Sequence, residues 1–464
     1  MVNKVFIIAT SFLVLHLILA GFFELIDDEA YYNFWSTSIS LGYYDHPPMV
    51  AWWIYLGKFI FGSTTLGVRF FPVLSFFFVS LLVGRIAFLV SGNKNVVLSV
   101  LLFNITMPIM GLGFISTPDA PLLLFWTSAL WAILEGLYRN NSWFLLLVGV
   151  FLALSVMSKY NALFFMLGLF FWCVSTREGR ETLRSPFIWL GAFLGGVLLS
   201  PHLLWNYKNS WLGLEKQFSR LLNETTGFSF FYEFLISIII FSTPLLFFFA
   251  ITGLFKPHKY RKLLLWIYLP SLIYFLNHSF TERIQGNWII IFFPWLAIMA
   301  AIGLQHAHAL WRKLTIFTGL FFSISILFLG LSPQYVIFSG DNPFNQMKGW
   351  QSVENKLLSH IDSANWVAVS EYSMIGRLTW LSGSSKKIWA INEPMRYHFR
   401  SEFPSDLCST PGILIEKFYG GDDKTEFVDS GKDPDVYLDR NIGDTKLMSY
   451  KIRNFSKLIE SPYC

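Results

Sequence analysis

Three consecutive carboxylates have the clearest chemical potential in this sequence. Asp27, Asp28 and Glu29 follow the apolar run 5–25, which has the roughly 20 residues that a helix needs to cross a bilayer. The acids therefore stand where a span reaches the membrane surface. Carboxylates are costly beside hydrocarbon, so the cluster is either a functional site or a solvated loop that ends a helix. At this point the sequence leaves both interpretations open.

Other residues able to act on a substrate fall in loops that we assign to the same side of the membrane. They are acids, cations, amides and amphipathic aromatics: Tyr32, Tyr44, Asp45, His46, Asp119, Lys159, Tyr160, His202, Asn206, Arg220, Glu282, Arg283 and Asn287. A carboxylate facing cations at a membrane surface suits a reaction in which the acid activates a hydroxyl and the cations hold a lipid phosphate. Lys159 has an alternative role as an interfacial anchor, and His202 as a packing residue between spans.

No motif points to another common chemistry. The sequence lacks the HExxH, GxSxG, Walker and dinucleotide-binding patterns, which argues against hydrolase, nucleotide-driven and hydride-transfer reactions. We expect no required metal or other cofactor. A divalent cation shared by Asp45, His46 and either another acid or His202 is the alternative.

The composition indicates the class of protein that contains these residues. Of the 464 residues, 54% are hydrophobic and only 14% are charged, against about 25% charged in soluble domains. This predicts a polytopic α-helical membrane protein. The net charge of +5 implies no nucleic-acid partner, because cytoplasmic loops of membrane proteins carry such an excess. We interpret the first apolar run as a retained span, since no convincing cleavage site follows it.

The apolar runs predict about eleven spans. They lie at 5–25, 68–90, 95–115, 120–138, 143–158, 161–175, 187–205, 230–255, 263–280, 287–305 and 314–331. Segment 49–62 is too short to span and rich in aromatics, so we predict that it lies along the interface.

The basic residues predict the orientation. With Lys4 on the cytoplasmic side, nearly all basic loop residues between the spans fall on that side as well. The candidate residues then share the opposite, non-cytoplasmic face of the membrane. We expect Asp28, Asp119 and Lys159 to converge there in one outward-opening cavity.

Composition changes near residue 336. We predict a transmembrane domain at 1–335, with a first loop at 26–66 on the non-cytoplasmic side, and a small soluble α/β domain at 336–464 outside the membrane. Segments 366–370, 386–391 and 412–418 have the pattern of strands, with a helix at 372–381. The acidic segment 421–435 is interpreted as an exposed loop, with cation binding as the alternative.

The three cysteines carry little further information. Cys173 lies in an apolar run and is interpreted as a small buried hydrophobe. Cys408 and Cys464 lie in the polar C-terminal region and either form a disulfide or remain free thiols.

Five motifs in order carry a resemblance to a known family. DEAYYNFWS, GYYDHPPMVAWW, STPDAPLLLFW, LSVMSKYNALFF and PHLLWNYKNSW resemble the bacterial protein-mannosyltransferase-type glycosyltransferases, which include the aminoarabinose transferase of lipid A. The resemblance covers roughly residues 1–310. It implies a C-type integral-membrane (GT-C) fold, a polyprenyl-phosphate-linked sugar donor and an active site on the periplasmic side of the bacterial inner membrane. It also implies a glycolipid acceptor such as lipid A, with membrane lipid as a further partner.

The resemblance also implies roles for single residues. Asp28 matches the catalytic acid, with Glu29 beside it, and Asp119 matches the second catalytic acid. Asp27 is an extra acid beside the pair, and adjacent like charges tend to raise one pKa. Lys159 matches the lysine that contacts the donor phosphate.

The motif that contains Asp45 departs from the family pattern. Asp45-His46 stands where the aminoarabinose transferase has Glu-Lys, which puts a phosphate-holding role there in doubt. Displacement of the polyprenyl phosphate in a single in-line step would invert the configuration at the anomeric carbon of the sugar.

Three alternatives accompany this interpretation. The first keeps the chemistry and changes the acceptor to a protein or a growing polysaccharide. The second is a proton-coupled lipid or polysaccharide transporter, for which ionisable residues at mid-membrane and paired repeats would be expected. The third, a non-catalytic envelope scaffold, leaves the clustering of acids at span ends unexplained.

Overall fold

The chain folds into two compact units in a computed structural model that describes residues 1–219, 228–332, 336, 340–420, 427–429, 434–459 and 461–464. The helical unit comprises residues 1–20, 45–50 and 69–326. The sheet unit comprises residues 21–44, 51–68 and 327–464. Most of the predicted first loop, 26–66, falls in the sheet unit. The predicted domain boundaries stay a prediction.

The helical unit is built from apolar helices. Those that lie wholly or mostly in it are Val2–Phe22, Thr65–Ser91, Val96–Asn104, Met107–Leu112, Asp119–Arg139, Trp143–Val156, Leu163–Ser175, Arg177–Leu183, Pro186–Lys208, Leu212–Ser219, Phe228–Ser242, Pro244–Phe255, Arg261–His278, Phe293–Leu304 and Ala309–Leu331. Five helices of the described chain are long and apolar enough to cross a membrane, or up to seven spans if each of two bent pairs counts as one. The predicted total of eleven spans stays a prediction.

Local sequence explains why a predicted span is broken. The apolar run 230–255 turns by 96° between Phe228–Ser242 and Pro244–Phe255. Thr243 has φ +68° at the break, and Pro244 lacks the N–H that a continuing helix would need. The apolar run thus predicted the helical segment correctly, and the bend at Thr243-Pro244 follows from the proline.

Small residues let two helices of this unit approach closely. A Cβ added at Gly149, in Trp143–Val156, would lie 1.9 Å from the carbonyl oxygen of Gly191, in Pro186–Lys208. Such contacts between backbones are the usual packing of membrane helices, where small residues replace the hydrophobic driving force.

The sheet unit combines short helices with one mixed sheet. Its helices are Asp27–Trp35, Met49–Phe61, Pro343–Gln346, Glu354–Ser363 and Tyr372–Ser382. Its strands are β1 (Val367–Val369), β2 (Ile388–Ala390), β3 (Gly412–Phe418), β4 (Val436–Ile442) and β5 (Thr445–Phe455). β1, β2 and β3 lie within the three segments predicted as strands, and Tyr372–Ser382 covers the predicted helix.

The strand order is β2-β1-β3-β5-β4. β1 pairs in parallel with β2 and β3, whereas β5 is antiparallel to both β3 and β4. β4 and β5 form a hairpin through Gly443-Asp444, where Gly443 has φ +54°. We had not predicted this hairpin, although Gly-Asp between two runs of strand-forming residues is a recognised turn signal.

One face of the sheet is closed by a small core and a disulfide. Trp366, Leu414 and Phe455 belong to this core. Cys408 and Cys464 are bonded, with their Cα atoms 5.9 Å apart, which settles the alternative that the sequence left open. The disulfide ties the C-terminus to the sheet unit.

Candidate active site

The three acids predicted as a cluster have different surroundings in the sheet unit. They open the helix Asp27–Trp35, where acidic side chains favour the positive end of the helix dipole. Glu29 is fully buried and its Oε2 accepts a hydrogen bond from the N–H of Ile26 at 3.0 Å. Asp27 is also buried, whereas Asp28 is half-buried. Of the three, Asp28 has the carboxylate most accessible to a substrate.

Asp27 is held by cations from the C-terminal residues. Arg377 Nη2 donates to its Oδ1 at 2.9 Å, and Lys417 Nζ donates to its Oδ2 at 2.5 Å. Burial alone would raise the pKa of Asp27, but Arg377 and Lys417 together lower it. The raised pKa expected for one of the neighbouring acids is therefore not that of Asp27. Its contacts favour a positioning role over the predicted substrate contact.

The ion pairs continue beyond Asp27. Lys417 also donates to Asp341, whose Oδ1 lies 3.6 Å from Arg440 Nη2. Arg377 and Arg440 both lie against the ring of Trp350, at 4.2 Å and 4.6 Å from its centroid. We define Asp27, Asp341, Arg377, Lys417 and Arg440 as the buried ion cluster.

Sequence reasoning missed the four C-terminal members of this cluster. Two carried a usable signal, because Lys417 lies in a predicted strand and Arg377 in a predicted helix of apolar character. Charged side chains buried in such elements are rarely left unpaired. The identity of their partner, more than 300 positions away in sequence, had no local signal.

Asp28 contacts a residue that we had not predicted. The hydroxyl of Tyr372 donates to Asp28 Oδ1 at 3.3 Å. The ring of Tyr372 packs on Tyr31, with 4.9 Å between ring centroids. Tyr44, predicted to bind substrate, lies with its ring 5.4 Å from the guanidinium of Arg396. Asp28 and Tyr44 thus each lie beside a C-terminal residue of the sheet unit, Tyr372 and Arg396 respectively.

The second catalytic acid predicted from the motifs forms its own cluster in the helical unit. Lys159 Nζ donates to Asp119 Oδ1 at 2.7 Å, and Asn287 Nδ2 donates to Asp119 Oδ2 at 2.7 Å. Lys159 Nζ also lies 5.8 Å from the centroid of the Trp288 ring. Asp119 begins the helix Asp119–Arg139, and Lys159 is an extended residue just before the 3₁₀ turn Tyr160–Ala162. The structure therefore brings together three predicted residues: Asp119, Lys159 and Asn287.

Tyr160, which follows Lys159 in the chain, contacts two further predicted residues, His202 and Asn206. Tyr160 Oη lies 3.0 Å from His202 Nε2, and Asn206 Nδ2 lies 3.3 Å from Tyr160 Oη. His202 and Asn206 are one helical turn apart on Pro186–Lys208 and both are buried. His202 also stacks on Trp205, at 6.2 Å between centroids. These contacts give the polar groups next to Lys159 a fixed arrangement.

Three of the remaining predicted residues make other contacts within the helical unit. Arg283 pairs with Glu233 at an exposed position, and Glu282 lies 3.7 Å from His278. The main-chain oxygen of Asp45 accepts from Gln217 at 2.9 Å. His46 is half-buried in the helical unit and Tyr32 is buried in the sheet unit, while Arg220 falls outside the described residues.

The convergence of Asp28 with Asp119 and Lys159 stays a prediction, because they belong to different units. A divalent cation also stays a prediction. Within the described part of the chain, no group of three or more His, Cys, Asp or Glu residues is arranged to hold a metal ion.

The fold is that of the C-type integral-membrane glycosyltransferases. The chain superposes on ArnT from Cupriavidus metallidurans with a TM-score of 0.68, covering 96% of this chain and 97% of ArnT at 12% identity. The same values hold for ArnT bound to undecaprenyl phosphate. An oligosaccharyltransferase from Archaeoglobus fulgidus superposes with a TM-score of 0.54, covering 89% of this chain and 69% of that protein at 12% identity. At this identity the likeness shows the fold alone.

The sequence comparisons confirm the family resemblance over part of the chain. A family model described as dolichyl-phosphate-mannose-protein mannosyltransferase matches residues 45–205, which include Asp119 and Lys159. The lipid A galacturonosyltransferase RgtD of Rhizobium johnstonii is 26% identical over 277 residues. This alignment covers 57% of this chain and 57% of RgtD, so the chain spans little more than half of that relative's length.

Proposed function

We propose that this protein is an inverting glycosyltransferase that moves a sugar from a polyprenyl-phosphate donor to lipid A or a related glycolipid. The family match at 45–205 and the name of the Rhizobium relative support the reaction class and the acceptor. The complex of ArnT with undecaprenyl phosphate supports the donor class. The single observation that carries the proposal is the contact of Lys159 with Asp119 and of Asp119 with Asn287.

Lys159 is suited to hold the donor phosphate. An ammonium group has three N–H donors, and the described residues take one of them, through Asp119. Asp119 and the Trp288 ring lie beside the ammonium, and 9% of the Lys159 side chain is exposed. A cation in this position can stabilise the negative charge that develops on a departing phosphate.

Asp28 is suited to activate the acceptor. As a half-buried carboxylate it can take the proton of an acceptor hydroxyl as the oxygen attacks the anomeric carbon. The bond from that carbon to the phosphate oxygen breaks in the same step, and its electron pair remains on the polyprenyl phosphate. One displacement of this kind inverts the anomeric configuration.

We further propose that the sheet unit faces the bacterial periplasm. The disulfide between Cys408 and Cys464 supports this location, because such bonds persist in oxidising compartments. The concentration of basic loop residues on the opposite side agrees with the same orientation.

Purified full-length protein, undecaprenyl-phosphate-linked sugars and lipid A provide the test, with mass spectrometry of the lipid as readout. Wild type should add one sugar mass, whereas Asp28→Asn should abolish transfer without lowering the unfolding temperature. Lys159→Met should reduce transfer by about 100-fold or more, the usual loss when one group that stabilises transition-state charge is removed. Asp406→Asn, which changes an exposed acid of the sheet unit, is the matched control and should transfer normally.

Full transfer by Asp28→Asn would remove Asp28 from the mechanism. Sugar added only to a protein acceptor would replace the glycolipid in the proposal. The absence of transfer by wild type with every donor would refute the reaction class.

A further inference from the structure

One helix from the C-terminal residues contacts the acid helix Asp27–Trp35 along its first turns. This helix, Tyr372–Ser382, contributes Tyr372 to Asp28 and Arg377 to Asp27. Trp380 Nε1 also donates to Glu24 Oε2 at 3.3 Å, just before the acid helix. Three side chains on successive turns of one helix thus hold acidic residues of the other segment.

The two helices are in direct backbone contact. A Cβ added at Gly376 would lie 2.5 Å from the backbone nitrogen of Tyr31 and 2.6 Å from the carbonyl carbon of Ala30. Real Cβ atoms do not approach backbone so closely, so any larger residue at position 376 must separate the helices. Gly376 therefore fixes the distance at which Tyr372 meets Asp28.

The ring of Tyr372 is itself fixed in place. It packs between Tyr31, at 4.9 Å between centroids, and the guanidinium of Arg396, at 4.9 Å from the ring centroid. Arg396 is buried and forms two hydrogen bonds with Glu393, at 3.0 Å and 3.2 Å. A cation over an aromatic face attracts the ring, and the attraction strengthens when water is excluded.

We infer that Tyr372 is a positioning residue for Asp28, so that the C-terminal residues complete the catalytic acid's surroundings. The inference rests on the proposed function, in which Asp28 is the base. The hydrogen bond from Tyr372 fixes the side-chain torsions of Asp28 and hence the direction in which the carboxylate meets an acceptor hydroxyl. Arg396 acts one step further away by holding the tyrosine ring. The family match at 45–205 contains neither residue.

Kinetics of the full-length Tyr372→Phe variant test this inference, because the change removes one oxygen and keeps the ring. We expect kcat to fall by roughly tenfold to 100-fold, the scale of loss when a reacting group is misplaced by about 1 Å. The KM values for donor and acceptor should stay unchanged, since Tyr372 acts on the acid and not on substrate. The unfolding temperature should also be unchanged, because Tyr372 is 37% exposed.

Tyr437→Phe is the matched control, as it removes an exposed hydroxyl from β4 of the same unit. Arg396→Met should lower kcat, and Arg396→Lys, which keeps a cation over the ring, should restore part of it. A kcat of Tyr372→Phe equal to wild type overturns the inference, and so does a loss that comes with a lower unfolding temperature and a raised KM.

These variants distinguish failure of the proposed function from failure of the role of Tyr372. Active wild type, inactive Asp28→Asn and fully active Tyr372→Phe would leave the proposed function standing and refute only the role of Tyr372. Inactive wild type would refute the proposed function, and the role of Tyr372 in transfer would fall with it.

Discussion

Asp119 in the helical unit and Asp27 in the sheet unit are both buried carboxylates that bind a lysine, yet their surroundings differ. Asp119 has one cation and one neutral amide, Lys159 and Asn287. Asp27 has two cations, and one of them is shared with a further acid, Asp341. The Lys159 side chain keeps 9% of its surface exposed, against 5% for Lys417.

The difference separates a carboxylate that can serve a substrate from one that holds structure. Lys159 donates to one acid, so an incoming anion would meet one competing carboxylate there, whereas Lys417 is shared by two acids that an anion would have to displace. The balance of charges in the ion cluster also indicates a structural role. The ion cluster already contains three cations and two acids, of which all but the half-buried Asp341 are buried, and each member has an ion-pair partner.

The largest expected effect is on stability and falls on Asp27. Asp27→Asn should lower the free energy of unfolding by about 3–5 kcal/mol, because it leaves Arg377 and Lys417 buried with insufficient negative charge. Thermal unfolding of the full-length protein in detergent measures this. Asp28→Asn, one position away and half-buried, is the control and should unfold near the wild-type temperature. Equal unfolding temperatures for wild type and Asp27→Asn would show that the ion cluster does not hold the acid helix.

A smaller effect on stability is expected from disturbing the packing of the helix Tyr372–Ser382 on the acid helix. Gly376→Ala should destabilise the protein by about 1–3 kcal/mol, the usual range for overpacking, because the new methyl group meets the backbone of Ala30 and Tyr31. Gly196→Ala is the matched control, as a Cβ at this helical glycine in Pro186–Lys208 meets nothing within 4 Å. Gly376→Ala should also lower transfer, since it moves Tyr372 away from Asp28. Wild-type behaviour of both alanine variants would contradict the close helix contact.

The smallest expected effect is of pH on the ion cluster. The lowered pKa of Asp27 means that its contribution to stability is complete above the ordinary carboxyl value of about 4 and is lost as pH falls through the folded value. Burial would lower the pKa of Lys417, but Asp27 and Asp341 raise it above its usual range. The contribution of Lys417 is therefore complete below about pH 10 and is lost only as pH rises through the raised value.

The difference in unfolding temperature between wild type and Asp27→Asn should thus stay constant from pH 5 to 9 and shrink in more acidic solution. A difference that shrinks between pH 6 and 8 would show that a group other than Asp27 and Lys417 controls the cluster.

The fold was predictable where local pattern and environment coincide. Long apolar runs predicted the helices, and apolar runs of strand length predicted β1 to β3 in the sheet unit. The pattern failed where chain direction depended on one residue, as at Thr243-Pro244, because hydropathy carries no information about a bend. The pattern also failed to predict the β4–β5 hairpin. β4 is largely exposed and β5 mixes apolar and polar residues, so neither strand forms an apolar run.

The candidate site was predictable to the extent that motifs label residues. Asp119, Lys159 and Asn287 were each chosen from the sequence, and the structure joins them by hydrogen bonds. Tyr372 and Arg396 were not chosen, because a tyrosine or arginine in an unremarkable C-terminal helix or turn has no signal of its own. Their significance depends on Asp28 and Tyr31, more than 300 positions earlier.

By itself the sequence determined that this is a membrane protein with acids at the ends of its spans, because hydropathy and charge are properties of the residues alone. Only the tertiary structure decided which acid has cations on both oxygens, which keeps an accessible carboxylate, and which lysine pairs with one acid and which with two. Those outcomes depend on contacts between segments far apart in the chain, and a carboxylate's chemistry is set by the groups that surround it.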